Sequence, residues 1–92
     1  MKYYIETNID CEACLDIVLS NLLEFSKNGL FFKSTDSGYL IIANTSLEIK
    51  TLTKIIKNKL PVPAKITKEK ALNQTEYQNL ILGFTPYTKS FW

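Results

Sequence analysis

The 92-residue chain has no histidine, and all eleven of its basic residues are lysine, so arginine is absent as well. Lacking histidine, it has neither the commonest general base near neutral pH nor the commonest zinc ligand. Only three glycines and three prolines accompany a 46% hydrophobic content, which excludes collagen-like, low-complexity and wholly disordered chains. No run approaches the roughly 18 consecutive apolar residues of a membrane span. The segment after Lys2 meets Glu6, Thr7, Asn8 and Asp10 too soon for a signal peptide, so the expected location is the cytoplasm, where thiols stay reduced. A formal charge of +2 is too small to announce a nucleic-acid binder. There is no glycine-rich phosphate loop and no nucleophile–base arrangement, and the expectation is a non-enzymatic protein.

What is present has the length of one domain and a regular order of elements. Tyr3–Ile9 alternates like a strand, and Asp10 is placed to cap a helix beginning at Cys11. Across Cys11–Lys27, Glu12, Asp16, Ser20 and Glu24 form a solvated stripe, and Leu15, Val18, Leu19, Leu22 and Phe25 face a core. Asn28-Gly29 ends this helix, with Gly29 as a left-handed terminator. Leu30–Thr35 and Gly38–Asn44 form a hairpin about Asp36-Ser37, in which Phe32 and Tyr39 are expected to pack rather than to stack on bases. Thr45 and Glu48 fit a capping box for a second helix carrying Ile49, Leu52, Ile56 and Leu60 inward and Lys50, Lys54 and Lys57 outward. Pro61 stops it, and Val62, Ala64 and Ile66 predict a short edge strand.

The resulting β-α-β-β-α-β order predicts an α/β ferredoxin-like sandwich over residues 1–67, with both helices on one sheet face. Residues 68–92 form a C-terminal extension, with Thr75–Leu82 favoured as a helix over a strand. The hairpin is apolar on both alternations, so the extension is expected to cover the second sheet face, in its own subunit or in a dimer. Phe84, Tyr87, Phe91 and Trp92 are the candidate interface residues.

Cys11-Glu12-Ala13-Cys14 lies where the first strand hands over to the first helix. Free amides and the positive end of the helix dipole stabilise thiolate there. Two soft thiolates suit Cu(I) or another thiophilic ion but fall short of the four ligands of a closed zinc site. Asp10 is the candidate supporting carboxylate. Two small buried hydrophobes at a helix start would explain the same pair without any ligand.

With this motif, the chain resembles the heavy-metal-associated domains of copper chaperones and metal-pumping ATPases. The likeness runs through Cys11-Glu12-Ala13-Cys14, Leu15, Val18 and Leu22, then Gly29-Leu30, Gly38 and Leu47–Ile56. Asn8-Ile9-Asp10 stands where that family has Gly-Met-Thr, and Lys59-Leu60-Pro61 lacks its usual Gly-Tyr or Gly-Phe. The resemblance implies a ferredoxin-like fold, a metal held by Cys11 and Cys14, and Lys59 offsetting the charge of the metal–dithiolate. Thioredoxins and glutaredoxins also place Cys-x-x-Cys after a strand, but they need a second βα unit before their hairpin; a small thiol redox protein stays a further alternative. The third is a protein-interaction module. Residues 1–46 hold three lysines against six carboxylates, and the remainder eight lysines against three, a polarity suited to a protein partner or self-association.

Overall fold

The computed structural model describes residues 1–59 and 64–88 as a mixed α/β fold with a five-stranded antiparallel sheet and three helices. In chain order these are β1 (Lys2–Thr7), α1 (Glu12–Leu23), β2 (Leu30–Thr35), β3 (Gly38–Asn44), α2 (Ile49–Asn58), β4 (Ile66–Leu72), α3 (Gln74–Ile81) and β5 (Thr85–Pro86). The sheet order is β4-β1-β3-β2-β5. Ile5 stands opposite Ile41 on one side and Glu69 on the other, so β1 is fully paired near the sheet centre.

Registers divide the side chains into two faces. Tyr3 and Ile5 of β1, Leu30 of β2, and Ile41 and Ala43 of β3 join Leu15, Val18, Leu19 and Leu22 of α1 and Leu52 and Ile56 of α2 in one core cluster. Helices α1 and α2 therefore share one face of the sheet. Phe32 and Tyr39 pack against this cluster and meet edge to face, their centroids 6.4 Å apart, as expected of core aromatics. Each fully buried Leu or Ile contributes about 1.5–3 kcal/mol relative to exposure. The outward positions of α2, Lys50, Lys54 and Lys57, are exposed.

On the opposite face Ile42 is fully buried, and Tyr77 of α3 is buried with its ring edge-on, at 6.1 Å, to Phe31, the strand partner of Ile42. The Lys2 ammonium sits 5.5 Å above the Tyr77 ring. Helix α3 thus covers part of the face that α1 and α2 leave open. The chain then crosses the sheet edge. Thr85–Pro86 pairs with Phe31 and Phe32, the Tyr87 amide donates to Leu30 at 2.7 Å, and the Tyr87 ring enters the helix-side core.

Several local expectations change. Strand β1 stops at Thr7, two residues short of the buried Ile9. Helix α1 begins at Glu12 with Cys11 as N-cap, so Asp10 does not cap it. It ends at Leu23, and tighter turns through Phe25, Ser26 and Gly29 leave Phe25 38% exposed instead of buried. Gly29 is not left-handed; among the described glycines only Gly38 has a positive φ, at 140°. Gly29 is needed for space, since a Cβ there would overlap the Tyr77 hydroxyl and lie 2.9 Å from Phe31 Cε1. The expected capping box at α2 is absent: Glu48 is the N-cap without a side-chain bond. Thr45 is instead buried, donating to the Phe25 carbonyl and accepting from the Leu47 amide.

The last strand of the first six elements runs from Ile66 to Leu72, later than the short strand predicted from Val62, Ala64 and Ile66, and it lies at the sheet edge. Leu60, Pro61 and Val62, invoked for the helix end and strand start, fall outside the described residues, as do Phe91 and Trp92. The predicted helix in the extension is present, but Asn73 caps it. Asn73 accepts from the Glu76 amide at 2.8 Å, and Glu76 accepts from the Asn73 amide at 3.1 Å.

Candidate functional site

The loop between β1 and α1 is fastened on both sides before it presents Cys11. On one side the Thr7 hydroxyl donates to the Tyr39 carbonyl at 2.8 Å and accepts from the Ile9 amide at 3.2 Å. The Tyr39 amide donates to the Ile9 carbonyl at 2.9 Å. On the other, Asn8 donates its amide to the Lys65 carbonyl and accepts the Lys65 amide on Oδ1 at 2.8 Å. Gly38 permits the hairpin to approach, since a Cβ there would overlap the Thr7 carbonyl and lie 2.9 Å from Asn8 Cα. With Ile9 anchored in the core, the backbone entering α1 is set by strands on either side of it. Such support fixes the backbone that carries Cys11.

Cys11 and Cys14 are both free and close together, one helical turn apart. They are not equivalent. Cys11 is exposed at the N-cap, whereas Cys14 is half-buried and packs against the core cluster. The Cys14 backbone amide faces the Cys11 sulfur without closing a formal cap, and with the Cys14 thiol and the Ala13 amide it holds the Cys11 thiol below its ordinary range. Desolvation and the Asp10 charge oppose this. Cys14 moves the other way: its hydrogen bond to Cys11, then desolvation and the charges of Cys11 and Asp10, push it up. Sequence position implied thiolate stabilisation for both sulfurs; here it falls to Cys11, which faces the Cys14 and Ala13 amides, while the hydrogen bond to Cys11 outweighs the amide acting on Cys14.

Asp10 is exposed and acts on both thiols by its charge. It does not complete a ligand set: among the described residues no three His, Cys, Asp or Glu side chains converge on a point. Lys59 is the exposed C-cap of α2. The candidate interface residues separate. Phe84 is half-buried with the Lys33 ammonium 5.9 Å from its ring centroid. Tyr87 is 3% exposed and therefore internal.

Two features were missed by sequence reasoning. Asp16 and Ser20, assigned to a solvated stripe, both meet the Tyr87 hydroxyl at 2.7 Å. Their spacing of four places them on one helix face, but nothing in the sequence pairs that face with position 87. A cavity of about 260 Å³ opens at the far end of α1, lined by Leu23, Leu30, Phe31 and Tyr87 among others. There Ser26 Oγ is buried without a hydrogen-bond partner among the described residues. It lies at the opposite end of the helix from the thiols. No helix among the described residues is long and apolar enough to cross a membrane. Comparison with family models, curated proteins and solved structures finds no match to this chain.

Proposed function

We propose that the chain binds and carries a soft metal ion, Cu(I) being the best fit, between the sulfurs of Cys11 and Cys14. The observation that carries this reading is the closeness of two free thiols at an accessible helix start held by the surrounding strands. Thiolate sulfur selects thiophilic ions, and Cu(I) is satisfied by two such ligands where zinc needs about four. The amides facing Cys11 would stabilise the negative charge of the bound dithiolate. Both thiols lose their protons on binding, so affinity should rise with pH. The order β4-β1-β3-β2, with α1 and α2 on one face, supports reading the first six elements as a ferredoxin-like sandwich.

Titration of the reduced protein with Cu(I) against a competing chelator tests the proposal. One ion per chain is expected, with high-affinity binding lost in the Cys11→Ser/Cys14→Ser variant. Equal binding by the two proteins would remove the cysteines from the site.

A further inference from the structure

We infer that Cys11 and Cys14 also form a thiol–disulfide exchange pair, in which exposed Cys11 attacks a disulfide carried by a cationic peptide or protein and half-buried Cys14 resolves the adduct. This activity is separate from metal carriage at the same sulfurs and does not depend on it.

Accessibility and order carry the assignment. Attack on a disulfide requires in-line approach to a sulfur, and of the two thiols only Cys11 is exposed. Cys14 is shielded from a second partner by the core against which it packs, yet it is close enough to reach the Cys11 sulfur. In the first step the Cys11 thiolate bonds to one sulfur of the partner disulfide, and the other leaves as thiolate. In the second, Cys14 gives up its proton and attacks Cys11. The bond between Cys11 and the partner breaks, and the departing sulfur takes up a proton. The net result is a Cys11–Cys14 disulfide and two partner thiols: the chain is oxidised by two electrons and the partner disulfide is reduced by the same two.

Charge selects the partner. Asp10 and Glu12 flank Cys11 and are exposed, and the one ion pair among the described residues joins Lys70 to Glu76, leaving these two carboxylates without a salt bridge. An anionic disulfide is repelled on approach and a cationic one is drawn in, an effect that salt screens.

The experiment uses the reduced full chain with a metal chelator and two small disulfides of opposite charge, cystamine and oxidised glutathione. Mass spectrometry should find a lasting mixed disulfide on Cys11 in the Cys14→Ser variant. Wild type should proceed to the internal disulfide, and Cys14 in the Cys11→Ser variant should react several-fold more slowly than Cys11, because it is half-buried against the core. The cystamine preference at low salt should exceed that of a neutral small dithiol and fall towards it in concentrated salt. Equal trapping in both single variants, or a wild type that stops at the mixed disulfide, would overturn the exchange pair. A preference no greater than the neutral dithiol's would overturn the choice of a cationic partner. Because metal is chelated throughout, neither failure bears on the Cu(I) titration.

Discussion

At the scale of single residues, the chemistry of this molecule depends on which atoms the backbone brings to a side chain. Tyr4 illustrates this away from the thiols. Its hydroxyl donates to Glu6 Oε2 at 2.6 Å, and burial, then this bond, then the Glu6 charge push its pKa up from 10.0 to about 12. The folded protein therefore holds the Tyr4 proton more tightly than the unfolded chain does. Its contribution to stability is complete below pH 10 and is lost as pH rises through about 12. Denaturant midpoints measured across this window should fall more steeply for wild type than for Tyr4→Phe; parallel curves would show that Tyr4 does not titrate there. The cysteine pair was legible in the sequence because its spacing alone brings the sulfurs together. Its asymmetry was not, because it follows from the helix starting one residue past Cys11, which leaves Cys11 exposed at the N-cap and Cys14 packed against the core.

At the scale of elements, the pattern of burial decided what could be read. Helices α1 and α2 each bury one set of positions and announce themselves by it, whereas β3 buries Ile41, Ile42 and Ala43 in succession and is marked by its unbroken apolar run. Strand β4 has neither mark. Its five central residues are all exposed, so Thr67-Lys68-Glu69-Lys70-Ala71 carries no alternation and resembles a loop. Its lysines suit an edge that must resist pairing with other chains. The docking of α3 was visible only as a surplus of apolar residues, and its exact seat depends on Gly29. Gly29→Ala should destabilise the domain by about 1–3 kcal/mol through overpacking against Tyr77 and Phe31. Tyr77→Phe removes the hydroxyl that a Cβ would strike, so the double variant should recover part of that loss. A double-mutant cycle by urea denaturation measures this coupling, and strict additivity would show that Gly29 and Tyr77 do not meet.

At the scale of the whole molecule, residues far apart in sequence complete the core. Tyr87 joins the cluster built by α1, α2 and the sheet, and its hydroxyl reaches Asp16 and Ser20 across 71 and 67 positions of chain. Local order along residues 1–58 could be inferred one segment at a time, but such a closure leaves no mark in any segment. It does leave one in time. Contacts of long sequence separation carry the largest loop-closure cost and tend to form late on the way to the native state. Interactions absent from the transition state change the escape rate rather than the folding rate. Tyr87→Phe should then leave refolding after a denaturant jump nearly unchanged while shortening the native lifetime several-fold, an effect on the order of 1 kcal/mol placed on the unfolding limb. A slowed refolding limb would instead mean that this tyrosine already spans the helix and sheet edge in the folding nucleus. If it closes late, it acts as a clasp on an assembled domain, and its hydroxyl governs how long the protein stays folded more than how quickly it gets there.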